Sequence, residues 1–244
     1  MTSSRATTAW LATVLAAVAV GVSHGQSPDQ QIETQVTQAL REEAVLRSVT
    51  VSVQEQVVTL GGPVPSLWAK ETAIDAARGV EQVRFVVSDL MIARAESDAS
   101  LWEQVGGRIR RYSDYTMFDQ IDMGVDDGVV TLVGKVTAPF KVDDVTRLVS
   151  RVPGVREIAN LVETLPASPA DDDVRAALAQ QIYSHPVLSR YATRSDPPIH
   201  IIVERGRVTL IGAVGSRLER RVAETIALGA PGVLSVDNAL QTTP

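Results

Sequence analysis

One phrase recurs three times along this 244-residue chain: Val58-Thr59-Leu60-x-Gly62-x-Val64, Val130-Thr131-Leu132-x-Gly134-x-Val136 and Val208-Thr209-Leu210-x-Gly212-x-Val214. The copies begin 72 and 78 residues apart. A period of that length is a small folded domain and not a solenoid turn, so the chain reads as three copies of one module. Self-alignment assigns residues 27–95, 97–166 and 168–244 to them.

Each module opens on an amphipathic helix. Ile32, Val36 and Leu40 lie at i, i+4 and i+8, as do Leu101, Val105 and Ile109, and Val174, Leu178 and Ile182. This spacing makes an apolar stripe that must face a partner layer. Ser27-Pro28-Asp29-Gln30 and Ser168-Pro169-Ala170-Asp171 carry N-cap chemistry, and Asp171 to Asp173 complement the helix dipole. A hairpin follows. Asp126-Asp127-Gly128 and Glu204-Arg205-Gly206 mark its turn in modules two and three, while Gln54-Glu55-Gln56 lacks glycine and specifies the turn less well.

The repeated phrase is the second strand, and Gly62, Gly134 and Gly212 mark its exit, where a β-carbon would obstruct an unusual dihedral or a close backbone approach. A second helix is predicted from Val145, Leu148, Val149 and Val152, and from Leu218, Val222 and Ile226. It stops at Pro153-Gly154 and Pro231-Gly232. In module one Gly79 takes the place of Gly154 and Gly232, leaving a stretch three residues shorter and predicting a shorter or differently ended helix. A last strand follows, near Val83 to Met91, Val155 to Val162 and Val233 to Leu240. The predicted class is α+β: three tandem α-β-β-α-β modules, each a mixed three-stranded sheet with both helices on one face. Pro186, Pro197 and Pro198 make residues 185–198 a loop.

This pattern resembles the BON domain family, named for bacterial osmotically induced and nodulation proteins. The strand phrase, the amphipathic helix and the Pro-Gly-Val turn carry the likeness. So do Val236-Asp237-Asn238-Ala239-Leu240 and Ile158-Ala159-Asn160-Leu161 after that turn. Module one diverges, with Phe85 read at the position of Asn160 and Asn238. The resemblance implies noncatalytic modules of secreted, periplasmic or membrane-associated bacterial proteins, binding phospholipid or other envelope components and protecting against osmotic or envelope stress. The alternative is a structural adaptor contacting another envelope protein through exposed sheet faces or edges.

Composition narrows the chemistry. Residues 30–96 and 98–165 each carry a charge of −3 (6 basic against 9 acidic, and 8 against 11), and residues 170–244 are balanced, 8 against 8. A nucleic-acid binder would show a basic footprint. There is no cysteine, hence no disulfide, thiolate site or thiol nucleophile. Residues 1–25, with Arg5 before the apolar run Ala9 to Val22 and small residues before Gln26, read as a signal peptide, so export to the periplasm or beyond is expected.

The sequence contains no elbow or phosphate loop, and Asp122 with Asp126-Asp127-Gly128 lacks the ligand spacing of a calcium loop. No cofactor and no oligomeric state is specified. A histidine-carboxylate site would need His185, Asp196 and His200 to converge. Two clusters suit lipid or partner contact: Trp102, Arg108, Arg110 and Arg111 on the opening helix of module two, with Trp102 and Arg108 at the edges of the stripe, and Arg217, Arg220 and Arg221, which Glu219 and Glu224 are placed to offset.

Overall fold

The computed structural model describes residues 27–95, 97–192 and 197–243; the expected signal peptide and Asp196 lie outside them. Module one runs α1 (Pro28–Arg41), β1 (Thr50–Gln54), β2 (Val57–Val64), α2 (Leu67–Arg78) and β3 (Phe85–Ile92). Module two runs α3 (Asp98–Arg110), β4 (Gln120–Asp126), β5 (Val129–Val136), α4 (Pro139–Ser150) and β6 (Glu157–Thr164). Module three runs α5 (Pro169–Ser184), β7 (Ile199–Glu204), β8 (Arg207–Val214), α6 (Arg217–Gly229) and β9 (Ser235–Thr242). Each sheet has the strand bearing the repeated phrase at its centre, antiparallel to one neighbour and parallel to the other. The α+β reading with three mixed sheets holds.

The first-helix stripes are buried in all three modules, against Val58 and Leu60, Val130 and Leu132, and Val208 and Leu210. In module three the buried face of the second helix differs from the expected Leu218, Val222 and Ile226 stripe. Leu218 is 54% exposed and Val222 and Ile226 only half-buried, whereas Ala223 and Ala227 are fully buried. Module one repeats this with Ala69, Ala73 and Ala77. A row of small side chains lets a helix lie close against its partner layer, so the core positions are not the largest apolar residues.

A carboxylate links helix to hairpin in every module. Asp29 accepts the backbone N–H groups of Glu55 and Gln56, both at 3.0 Å. Asp98 accepts those of Asp127 and Gly128 at 3.1 and 3.4 Å, and Asp171 those of Arg205 and Gly206 at 2.8 Å. Both turn residues have positive φ each time, including Glu55 (50°) and Gln56 (64°). The glycine-free turn therefore adopts the same geometry, held by Asp29. Burial disfavours the Asp171 carboxylate, but the Gly206 and Arg205 N–H groups outweigh it and hold its pKa below the usual range.

Two module-one alignments need correction. Gly79 is an ordinary helix end at φ −72°, whereas Gly154 and Gly232 have φ +90° and +83°. Their counterpart is Gln82 at φ +69°, so the three-residue deficit vanishes, and α2 has 12 residues like α4. The equivalent of Asn160 and Asn238 is Ser88, not Phe85: these three pair with Leu132, Leu210 and Leu60. Asn160 ties β6 to α4 through the Val142 carbonyl (3.2 Å) and Thr146 Oγ1 (2.7 Å), while Ser88 Oγ is buried without a partner. Asn160→Ala should cost about 1–3 kcal/mol in urea unfolding, and Ser88→Ala should be neutral or stabilising.

The modules touch in sequence. The Leu67 N–H donates to the Val155 carbonyl and the Gly154 N–H to the Pro65 carbonyl, and the Arg151 guanidinium stacks 4.4 Å from the Trp68 ring centre. Between modules two and three, the Ile201 N–H donates to the Met117 carbonyl (2.7 Å), and Lys135 pairs with Glu204.

Candidate binding surfaces

The opening helix of module two carries the first cluster. Trp102 is 41% exposed, and its Nε1 donates to the Met123 carbonyl at 3.4 Å, which fixes the ring along the rim between α3 and β4. Gly106 and Gly107 leave room on the helix surface. The Arg110 and Arg111 guanidiniums fold back over the two glycines, within 3.1 and 3.2 Å of where a β-carbon would stand. Arg108, Arg110 and Arg111 are exposed and have no acidic partner among the described residues. The helix and its C-cap thus carry an amphipathic ring and three exposed cations.

The second cluster does not act as one surface. Arg220 Nη2 donates to the Asn238 carbonyl at 2.6 Å, while the Asn238 amide returns bonds to the Arg220 carbonyl (3.0 Å) and to Glu224 (3.1 Å). Arg220 is a clasp between α6 and β9. Glu219 does not offset these arginines either: it is buried and accepts from Tyr191 OH (2.8 Å) and the Gly215 N–H (2.7 Å), and it pairs with Arg190 (2.5 Å). Arg217 and Arg221 remain exposed.

The glycines keep a structural place. Gly62, Gly134 and Gly212 have φ of +107°, +152° and +121°. Each packs against the backbone carbonyl of the preceding chain segment, at Ser48, Gln120 and Pro198. Gly154 abuts Ala95 at the joint of modules one and two, and a β-carbon there would stand 2.7 Å from that of Ala95.

The histidines are committed separately. His185 Nδ1 accepts the Val187 N–H at 3.2 Å, at the end of α5. His200 Nδ1 lies 2.6 Å from the Asp119 carbonyl oxygen, which makes it the protonated nitrogen, and its ring lies 5.5 Å from that of Tyr115. The segment after α5 is more than a loop: Leu188 is fully buried and Ser189–Tyr191 form a 3-10 turn. Among the described residues no group of three His, Asp or Glu is arranged to hold a metal ion.

Sequence reasoning missed Asp119. Its side chain is fully buried before β4 and accepts five hydrogen bonds: from Thr116 N and Oγ1 (both 2.8 Å), Thr137 N and Oγ1 (2.8 and 2.9 Å) and Lys141 Nζ (2.7 Å). Burial opposes its charge. The Lys141 ammonium and the Thr137 and Thr116 N–H groups prevail and lower its pKa. With its carbonyl on His200, Asp119 ties the two ends of β4–β5 to module three. No local pattern marks it, since Thr116, Thr137 and Lys141 meet only after the hairpin forms.

Among known proteins, osmotically-inducible protein Y of Escherichia coli K12 is 27% identical over 146 residues, 56% of this chain and 72% of that protein. Two solved structures share 13% and 12% identity. They are the C-terminal domain of CdsD, described as a structural protein of the type III secretion system of Chlamydia trachomatis, and the PrgH periplasmic domain. The first covers 86% of this chain and 96% of its own at a TM-score of 0.26, the second 85% and 99% at 0.22, and overlaps this low carry no argument. A sequence model of the BON domain matches residues 28–94, 97–166 and 170–244, and on that threefold match the chain belongs to the BON domain family.

Proposed function

We propose that this protein is an exported bacterial envelope protein that binds a phospholipid surface reversibly, without catalysis, through the outer face of α3. The observation that carries the reading is that α3 and its C-cap carry the half-exposed Trp102 ring and also Arg108, Arg110 and Arg111, none of which has an acidic partner among the described residues. A tryptophan with one apolar and one wet side suits headgroup depth, and guanidiniums add attraction to anionic lipid. Likeness to osmotically-inducible protein Y supports a part in osmotic or envelope stress. The apolar N-terminal stretch supports export, to the periplasm or beyond.

Co-sedimentation with vesicles, with and without anionic lipid, tests this. The protein is expected to pellet with anionic vesicles at low salt and to be released as salt rises. The triple variant Arg108→Gln, Arg110→Gln, Arg111→Gln should weaken binding roughly 100-fold, at about 1 kcal/mol per cation. No pelleting at low salt would remove the reading. A second reading, an adaptor for another envelope protein, rests on module one, where Phe85 (65% exposed), Val87 and Met91 (68% exposed) share the open sheet face. It predicts that Phe85→Ser with Met91→Ser loses a specific partner in pull-downs from envelope extract while vesicle binding is kept.

A further inference from the structure

The open sheet faces of modules two and three look at each other across a groove of about 730 Å³. Side chains alternate along a strand, so Val133 and Lys135 of β5, Leu161 and Glu163 of β6, Ile202 and Glu204 of β7, and Thr209 and Ile211 of β8 all turn away from their own cores. All of them line this groove. It also gathers exposed apolar side chains that the module cores leave outside. Leu161 is 62% exposed and Leu234 79%, and with Val133, Ile202 and Ile211 they make its apolar lining. The volume falls within the ~300–1,000 Å³ typical of small-ligand sites.

Lys135 and Glu204 neutralise each other and bridge the two modules. Glu163, Arg205 and Arg207 also line the groove, and neither guanidinium has a side-chain hydrogen bond or ion pair among the described residues. The lining therefore carries one excess positive charge, from Lys135, Arg205 and Arg207 against Glu163 and Glu204. The central strands β5 and β8 are hydrogen-bonded on both sides, and each sheet turns a face of side chains to the groove. An occupant of this face meets apolar side chains along its length and the Arg205 and Arg207 guanidiniums at the β7–β8 turn.

From these features we infer that the groove binds one long-chain fatty carboxylate, its chain on Val133, Leu161, Ile202, Ile211 and Leu234 and its carboxylate at Arg205 and Arg207. A monoanion cancels the excess charge, and the guanidinium fork matches a carboxylate. This site is separate from the α3 face and does not rest on the membrane reading.

The test is calorimetric titration of the protein with laurate below its critical micelle concentration, with dodecyltrimethylammonium as the cation of equal chain length. Saturable laurate binding at one site is expected. It should weaken at least about tenfold in Arg205→Gln with Arg207→Gln, and likewise in Leu161→Glu, and stay unchanged in Trp102→Ala. Arg205, Arg207 and Leu161 are exposed, so the variants should keep the parent's unfolding midpoint, which is checked alongside. Absence of saturable laurate binding, equal binding of the ammonium, or undiminished affinity in both groove variants overturns the inference. Vesicle binding is expected to survive both groove variants, so failure of the α3 reading and failure of this one are read in different assays.

Discussion

Replacing Gly212 with alanine is expected to destabilise the third module severely. The residue sits at φ +121°, where an L side chain is strained, and an added β-carbon would overlap the Pro198 carbonyl oxygen. That oxygen belongs to the backbone at the start of β7 and accepts the Ala213 N–H, so relief would require moving the strand and breaking its ladder. The expected loss exceeds about 4 kcal/mol, a large share of the ~5–15 kcal/mol available to a small domain. Gly134→Ala should behave alike against Gln120, while Gly62→Ala should cost less because its β-carbon would stand 2.9 Å from the Ser48 oxygen. Gly79→Ala is the contrast: φ is −72° and the nearest atom lies 3.5 Å away, so a neutral or slightly stabilising effect is expected. Urea unfolding followed by circular dichroism measures all four. A Gly212→Ala protein within about 1 kcal/mol of the parent would refute the steric account.

Asp119→Ala is expected to cost about 3–5 kcal/mol, because it strands the Lys141 ammonium, 7% exposed, without its counter-charge. Changing both, Asp119→Ala with Lys141→Met, should recover much of the loss, since the buried cation goes with the carboxylate. The effect has a definite pH dependence. In the folded protein the carboxylate is held below its ordinary value of 3.8, by the Lys141 ammonium and the threonine N–H groups acting against burial. Unfolding therefore takes up a proton when the pH lies between the folded and unfolded values. The contribution of Asp119 is complete above the unfolded value and fades as pH falls below about 4 toward the folded one. The gap in unfolding free energy between parent and Asp119→Ala should be full at pH 7 and shrink below pH 4. A gap that stays constant across that range would mean the charge is not what Asp119 contributes.

The part of the molecule legible beforehand is local. Stripes such as Val174, Leu178 and Ile182 declare a helix face because the period of the helix is fixed. Asp127-Gly128 declares a hairpin because few residues accept two successive positive φ angles. The repeat even held a signal that went unread: Asp29, Asp98 and Asp171 each stand three residues before the first stripe residue, and each clamps its hairpin turn. The errors arose where residue type was taken for geometry. Residue identity matches Gly79 to Gly154, although Gln82 adopts the required dihedral, and the Leu218 stripe passes over Ala223, which is the buried residue. Of the candidate surfaces, helical spacing places Trp102 and Arg108 at the edges of the α3 stripe. Helical spacing groups Arg220 with its neighbours, since its partner Asn238 lies 18 residues away on β9.

The sequence by itself determined the three modules and their α+β order, with the strand phrase as the second strand of each, since periodicity, capping and turn chemistry act over a few residues. Tertiary structure alone decided what the modules do to one another. Asp119 reaching His200, Lys135 meeting Glu204, and two open faces enclosing a groove all depend on distances between segments far apart in the chain. Those contacts form only because one sheet is docked against the next, and no local pattern encodes that approach.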